Sequence, residues 1–256
     1  MRRRASFLCA CMLIAFGFAL TPAHAASKSY KDMTAAEQLT FLEREAARAT
    51  AALTEDGKPI PVTASGLLLI KREVDDYAAR VDVSDGRPGH EPLRVVLDRA
   101  AQYAPGVSKT FTSERVPASL GIYLAFVESE YQPCLESSMG AKGVFQFLPT
   151  TASRFGLAAE DLCDVEKSAV AAARYLHGLR EQFGASGKGA LLAILAYNQG
   201  ERTVESSLAN KKDVWGALAR TPNAEGTRYV SRILAATIIG EHPDAFGVPT
   251  HALTAN

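Results

Sequence analysis

The segment from Pro117 to Val127 constrains the fold more than any other part of the chain. Proline suits the first turn of a helix, where its missing N–H would have no partner. Apolar side chains then leave no polar face: Leu120, Ile122, Tyr123, Leu124, Phe126 and Val127. A helix of this kind is buried on all sides. The chain of 256 residues is long enough to form a core around it.

The rest of the sequence also shows helical patterns. Thr34 and Glu37 form a capping-box pattern, and apolar residues at helical spacing follow them. The other predicted helices run from Ser65 to Tyr77, over 93–103 (ending before Pro105), over 166–183, over 190–197 and from Tyr229 to Ile238. No run of four to eight residues alternates between apolar and polar, as a half-buried strand would. The sequence therefore predicts an all-α fold.

The first 25 residues have the features of a secretory signal peptide. Arg2–Arg4 form a positive start, Phe7 to Leu20 is apolar and uncharged, and Ala23-His24-Ala25 offers small residues for cleavage. An uncleaved membrane anchor is the alternative, because the apolar stretch approaches the length of a short membrane-spanning helix. We expect export to the periplasm of a Gram-negative bacterium, with no integral membrane segment after cleavage.

Loops divide the mature chain, and breaker residues over 82–92 mark the clearest of them. We predict an N-terminal helical region over 26–107, a second helical domain over 108–245 and a C-terminal tail over 246–256. The chain has 28 basic and 28 acidic residues. Without the three signal arginines the net charge is −3, so the composition does not indicate a nucleic-acid partner.

Two cysteines remain after removal of the signal peptide, Cys134 and Cys163. In an oxidising compartment such a pair can form a disulfide, which would contribute about 3 kcal/mol on the chain-entropy model. Two free buried thiols are the alternative. The histidines and cysteines lack metal-ligand spacing, and no phosphate-binding or dinucleotide-binding motif is present. The sequence therefore predicts no metal and no cofactor.

Glu128 is the unusual residue of the apolar helix, because it follows Val127 at its end. Desolvation there would raise the pKa of its carboxyl towards neutrality, as a proton donor for a glycosidic oxygen requires. The alternative is a surface glutamate at a frayed helix end, or one paired with Arg154 or Lys142.

The motifs that follow Glu128 strengthen the first interpretation. Glu128-Ser129 is followed by Ser137, then by Gly140-Ala141-Lys142-Gly143-Val144-Phe145-Gln146-Phe147-Leu148-Pro149, by Thr151-Ala152 and by Ala196-Tyr197-Asn198-Gln199-Gly200. These motifs and their spacings resemble the SLT family of lytic transglycosylases. The resemblance covers roughly residues 108 to 240 and implies a lysozyme-like helical catalytic domain.

The resemblance also implies roles for individual residues. Glu128 matches the catalytic acid and base of the family, and Ser137 matches a serine near the substrate's N-acetyl group. Gln146 matches a polar residue of the sugar cleft, and Tyr197 matches a tyrosine whose hydroxyl points at the catalytic carboxyl. The residues that look structural are Gly140, Gly143, Pro149 and Asn198. The sequence departs from the family pattern at 164–168, where the usual proline and asparagine are missing.

The implied reaction cleaves the bond between N-acetylmuramic acid and N-acetylglucosamine in peptidoglycan and leaves a 1,6-anhydro end. A hydrolytic muramidase would need a second carboxylate. Glu130 is expected to point about 200° away from Glu128 on the helix, which leaves the loop candidates Glu136, Asp161 and Asp164. A glycan-binding scaffold without turnover is the other alternative. The unassigned residues 26–107 are a candidate docking region for a cell-envelope partner.

Overall fold

The computed structural model describes residues 28–84, 86, 90–207, 215 and 224–255. Nine α-helices lie within them: α1 (Ala35–Ala52), α2 (Ala64–Ala78), α3 (Leu93–Ser113), α4 (Ala118–Ser129), α5 (Pro149–Arg154), α6 (Val165–Phe183), α7 (Gly187–Gln199), α8 (Glu201–Ser207) and α9 (Ala224–Glu241). Short 3₁₀ helices span Tyr30–Asp32, Ala159–Asp161, Pro243–Phe246 and Leu253–Ala255. Two isolated β-bridges join Lys142 to Glu136 and Phe147, and no strand occurs in the described ranges. The prediction of an all-α fold is confirmed.

The apolar helix α4 lies at the centre of the fold, as its composition predicts. It packs against α3, α9 and α6. Ile122, Tyr123 and Phe126 are completely buried. The helix crossing with α3 is close, because a Cβ at Gly121 would lie 2.5 Å from the ring of Phe111. The buried environment of α4 opens in its last turn, where Val127 and Glu128 are half-buried.

The N-terminal region shares the core of the rest of the chain. α1 begins with the predicted capping box, in which Thr34 and Glu37 bond to each other's backbone N–H. α2 packs along α9, and α1 packs against both. Leu42 and Ile70 from this region are completely buried in the same apolar cluster as Leu234. The first two helices, α1 and α2, therefore pack against α9.

One helix boundary was predicted wrongly. α3 does not end before Pro105 but continues to Ser113. A proline inside a helix removes one backbone hydrogen bond and usually breaks the helix. Here Pro105 faces solvent, while Ala104, Val107 and Phe111 are buried on the opposite side. The burial of these residues keeps the chain helical beyond the proline, so α3 runs across residue 107.

The two ends of the chain were predicted to be a signal peptide and a C-terminal tail. The predicted signal peptide over 1–25 lies outside the described residues. The segment predicted as a C-terminal tail includes the buried residues Phe246, Val248 and Leu253, and its last 3₁₀ helix packs against α3 and α4. None of the described helices has both the length and the apolar character that crossing a bilayer requires.

Burial of tyrosines makes the fold sensitive to alkali. Burial is the main cause that raises the pKa of seven of them: Tyr30, Tyr77, Tyr123, Tyr131, Tyr175, Tyr197 and Tyr229. Unfolded tyrosines ionise near pH 10. A group whose folded pKa is raised contributes stability below its unfolded pKa and loses it as the pH rises towards the folded value.

We therefore expect the contribution of these tyrosines to stability to be independent of pH below about pH 10 and to fall steeply above it. Tyrosinate absorbance and helical circular dichroism, followed together in an alkaline titration, check this. The absorbance of the seven residues should rise in one step that coincides with the loss of helix. A gradual rise near pH 10 with the helical signal intact would contradict it.

Candidate active site

Glu128 lies at the junction of two cavities. It is half-buried in the last turn of α4 and lines a cavity of about 550 Å³ on one side and a cavity of about 170 Å³ on the other. We call them the large and the small cavity. Glu128 lines both of them, and we call the two cavities together the groove. The two basic residues predicted as alternative partners of Glu128 form ion pairs with other acids. Arg154 is 3.6 Å from Glu201, and Lys142 is 3.4 Å from Glu136.

Tyr229 on α9 donates a hydrogen bond from its hydroxyl to Glu128 Oε1. The tyrosine is buried, and burial together with the Glu128 charge raises its pKa well above the usual value. Its hydroxyl therefore stays protonated and remains a donor at neutral pH. The sequence analysis placed Tyr229 in the last predicted helix but gave it no role at the site, because 101 positions separate it from Glu128.

The tyrosine of the Ala196-Tyr197-Asn198 motif has a different arrangement from the one that the resemblance implies. The Tyr197 hydroxyl donates to the Phe145 carbonyl at 3.0 Å, whereas the tyrosine that donates to Glu128 is Tyr229. Burial, followed by the Glu128 charge, raises the Tyr197 pKa, so its ring lies in the electric field of the carboxyl. Tyr197 thus lines the large cavity and anchors the loop that carries Phe145.

Ser137 and Gln146 both line the large cavity together with Glu128. The Ser137 Oγ accepts from the Ala141 N–H at 3.0 Å. Gln146 donates from its side-chain amide to the carbonyls of Leu135 (2.8 Å) and Gly143 (2.9 Å). Both side chains therefore fix the loop over 130–148 as well as facing the cavity.

The other residues of the motifs shape this loop. Ser129 donates to the Val144 carbonyl at 2.9 Å and ties the loop to the end of α4. Gly140 and Gly143 have φ of 77° and 86°, a region that glycine adopts readily. Pro149 is the first residue of α5, where a proline is favoured. Asn198 lines the large cavity beside Tyr197.

A disulfide joins Cys134 to Cys163, with their Cα atoms 4.8 Å apart. It connects the loop over 130–148 to the segment before α6. Beside the disulfide, the Gly143 N–H donates a hydrogen bond of 3.0 Å to the carbonyl of Leu135, which follows Cys134. The disulfide and this bond hold the loop at the same point.

Glu130 does not lie where the helical projection placed it. α4 ends at Ser129, and Glu130 adopts a left-handed conformation with φ of 51°, so the prediction that it points away from the site is wrong. Its side chain lines the small cavity beside Glu128. Arg80 forms a buried ion pair with its carboxylate, and the Glu91 N–H donates to it at 3.0 Å.

Residues before the predicted catalytic domain form a wall of the small cavity. Glu73, Asp76 and Tyr77 on α2 line it, and Arg80 follows in the next turn. Arg228 on α9 also lines the cavity and donates two 2.8 Å hydrogen bonds to Glu73 and one to Asp76. The N-terminal region is therefore part of the groove around Glu128.

The loop carboxylates proposed as partners of Glu128 are held elsewhere. Asp164 caps α6 through the Lys167 N–H, Asp161 pairs with Lys167, and Glu136 pairs with Lys142. The other acids that line the two cavities each face an arginine: Glu73, Asp76, Glu130 and Glu201. Within the described part of the chain, no group of three or more histidine, cysteine, aspartate or glutamate residues is arranged to hold a metal.

Replacing Tyr229 with phenylalanine tests its effect on Glu128. The change removes a hydrogen bond that favours the ionised carboxylate, so we expect catalysis to fall roughly tenfold and the alkaline limb of the pH–rate profile to move to higher pH. Rates measured across pH check this. Tyr30→Phe is the matched control, because the Tyr30 hydroxyl bonds to Asp75 outside the groove. A Tyr229→Phe profile that superimposes on the wild type would contradict it.

Residues 107–217 match the family described as Transglycosylase SLT domain. Membrane-bound lytic murein transglycosylase D of Escherichia coli K12 is 28% identical over 167 residues, or 61% of this chain and 35% of the relative. Its counterpart in Escherichia coli O6:H1 gives the same values. The chain thus spans about a third of the length of these curated relatives.

Two solved structures are also similar. An inactive mutant of the lytic transglycosylase Slt from Pseudomonas aeruginosa has a TM-score of 0.47 and 22% identity, over 55% of this chain and 24% of the other. The 70 kDa soluble lytic transglycosylase of Escherichia coli has a TM-score of 0.46 and 20% identity, over 66% and 33%. The match over 107–217 includes Glu128 and the motifs that follow it. Over residues 107–217, which are less than half of the chain, the sequence is thus similar to the family described as Transglycosylase SLT domain.

Proposed function

We propose that this protein is a lytic transglycosylase that cleaves peptidoglycan glycan strands with Glu128 as its single acid and base. The observation that carries the proposal is the position of Glu128 in the groove, where it accepts a hydrogen bond from Tyr229. Each of the other acids that line the two cavities is instead paired with an arginine. The match to the SLT domain and the murein transglycosylase relatives support the same reaction.

In the proposed reaction, the Glu128 carboxyl gives its proton to the oxygen between N-acetylmuramic acid and N-acetylglucosamine. The bond from this oxygen to the muramic C1 breaks, and N-acetylglucosamine leaves with a new hydroxyl. The 2-acetamido oxygen of the muramic sugar stabilises the positive charge at C1. The Glu128 carboxylate then takes the proton of the C6 hydroxyl, and O6 bonds to C1 to close a 1,6-anhydro ring. Glu128 ends protonated, and no water is consumed.

The surrounding residues suit this sequence of steps. Tyr229 stays protonated and can hold the Glu128 carboxylate between its two proton transfers. Ser137 offers a hydroxyl whose own proton is not used in any hydrogen bond within the described residues, so it can donate to an acetamido oxygen. Tyr197 and Phe147 add aromatic surface to the large cavity.

We also propose that the protein acts outside the cytoplasmic membrane, in the periplasm. The signal-peptide pattern over 1–25 supports export, and the relatives' names place them on murein. Because residues of the N-terminal region line the groove, we expect this region to contribute to the enzyme itself. A cell-envelope partner that docks on residues 26–107 stays a prediction, and crosslinking in intact cells followed by mass spectrometry would test it.

The chemical form of the products tests the proposed reaction. Purified mature protein should release muropeptides with 1,6-anhydro ends from peptidoglycan, lighter by one water than hydrolysed ones by mass spectrometry. The Glu128→Gln variant is the control for contaminating enzymes. Reducing ends would instead show a muramidase and require a second carboxylate. No product from the wild-type protein on purified peptidoglycan would favour the glycan-binding scaffold.

A further inference from the structure

The small cavity contains the guanidinium of Arg232, which donates no hydrogen bond to the described residues around it. Arg232 on α9 lines this cavity with Glu128, and its side chain is 28% exposed. It forms an ion pair with Glu73, 3.7 Å from Nε, and makes no hydrogen bond within the described residues. The two other arginines of the cavity differ, because Arg228 is bonded to Glu73 and Asp76 and Arg80 is paired with Glu130.

Charge neutralisation of Glu73 does not account for Arg232. Both carboxylate oxygens of Glu73 already accept hydrogen bonds from Arg228 at 2.8 Å, and Arg72 adds two further bonds at 3.3 and 3.2 Å. A third guanidinium is therefore not needed to compensate this buried acid. The planar guanidinium of Arg232 keeps its hydrogen-bond donors for a group that enters the cavity.

Tyr77 provides a second donor in the same place. Its side chain lines the small cavity, it is only 6% exposed, and its hydroxyl makes no hydrogen bond within the described residues. Burial raises the pKa of Tyr77, and the strongest charge acting on it is that of Arg232, which lowers it. The hydroxyl is thus a neutral donor close to the guanidinium. The hydroxyl oxygen is not one of the fully buried atoms that lack a partner, so it is open to a group that enters the cavity.

We propose that Arg232 and Tyr77 form a subsite for a carboxylate carried by the muramic acid side chain of the substrate. This inference rests on the proposed function, because it takes peptidoglycan as the substrate. The N-acetylated sugars of a glycan strand are neutral, and the carboxylates lie on the lactyl group of muramic acid or on the peptide attached to it. A guanidinium and a hydroxyl match a carboxylate, since both donate and one is charged.

The position of the subsite fits such a side chain. Arg232 follows Tyr229 by three positions on α9, so the two side chains lie on one face of the helix. Tyr229 contacts Glu128, which places Arg232 about one helical turn from the catalytic carboxyl. A side chain that branches from a sugar next to the cleaved bond can therefore reach it.

Binding without turnover tests the subsite. In the Glu128→Gln background, we would measure the affinity for three soluble tetrasaccharides: one that carries peptides, one stripped to free lactyl carboxylates, and chitotetraose, which has no carboxylate. Arg232→Gln is expected to weaken binding of the carboxylate-bearing probes roughly tenfold relative to chitotetraose. A loss confined to the peptide-bearing probe identifies the peptide as the source, and a loss with both probes identifies the lactyl group.

Further variants separate this role from a structural one. Arg232→Lys should retain part of the preference, because it keeps the charge but not the planar fork, and Tyr77→Phe should lose part of it even if Arg232→Gln folds poorly. Arg174→Gln is the control, since Arg174 pairs with Glu114 on the exposed face of α6. An equal loss for all three probes, or none, would overturn the proposal. Since no turnover is needed, a wild-type protein that fails to cleave would refute the proposed function alone.

Discussion

Replacing Glu128 with glutamine is expected to lower the rate of glycan cleavage by at least about three orders of magnitude. Glutamine has nearly the same shape, and its side-chain oxygen can still accept the hydrogen bond from Tyr229. It has no acidic proton to give to the glycosidic oxygen and cannot remove the proton from the C6 hydroxyl. Since one carboxyl is proposed to perform both transfers, the substitution affects two steps. Release of soluble muropeptides over time checks the expected rate.

A matched control separates the chemistry from the loss of a negative charge. Glu166 is exposed in the first turn of α6 and lies outside both cavities, so Glu166→Gln should retain wild-type activity. The thermal unfolding midpoint of Glu128→Gln should stay near that of the wild type. A variant that folds and keeps more than about a tenth of the activity would show that another group supplies the proton. The acids of the small cavity would then be the next to replace.

The centre of the site could be predicted because its signals are local in the sequence. The apolar segment before Glu128 required a buried helix, and α4 is that helix. The capping box at Thr34 and the stop of α7 at Gly200 likewise depend on a few neighbouring residues. The loop motifs lie within about two dozen positions of Glu128, and their resemblance to the SLT family pattern predicted that they belong to one site.

The rest of the site depends on contacts between distant parts of the chain. Tyr229 reaches Glu128 across 101 positions and Arg80 reaches Glu130 across 50. Helical periodicity shows that α2 and α9 have a buried face, but not which charged residues will meet across a cavity. The error at Glu130 has a different cause. The projection assumed that α4 continues, whereas the chain leaves the helix at Ser129.

The N-terminal region illustrates the same limit. Its helices could be predicted, but their contribution to the groove could not, because it depends on how α2 packs along α9. The error at Pro105 is related, since a local rule for proline is overridden by the burial of Ala104, Val107 and Phe111. In both cases tertiary packing decides what the local sequence leaves open.

Replacing Gly143 with alanine is expected to unfold the loop that carries Ser137 and Gln146. A Cβ at this position would lie 1.9 Å from the carbonyl oxygen of Leu162, and the residue has a φ of 86°. The contact is with backbone next to the Cys134–Cys163 disulfide, which cannot move aside freely. The left-handed conformation costs about 1–2 kcal/mol for a residue with a Cβ, and the overlap adds about 1–3 kcal/mol or more. Chemical denaturation and the cleavage assay measure the two consequences.

Gly140 offers a control that separates the overlap from the backbone conformation. It has a similar φ of 77°, but a Cβ there would meet nothing within 4 Å. Gly140→Ala should therefore lose only about 1–2 kcal/mol of stability and keep most of its activity, whereas Gly143→Ala should lose more of both. Equal destabilisation by the two variants would mean that the loop can move away from Leu162. In that case Ser137 and Gln146 would be held less rigidly over the large cavity than their hydrogen bonds indicate.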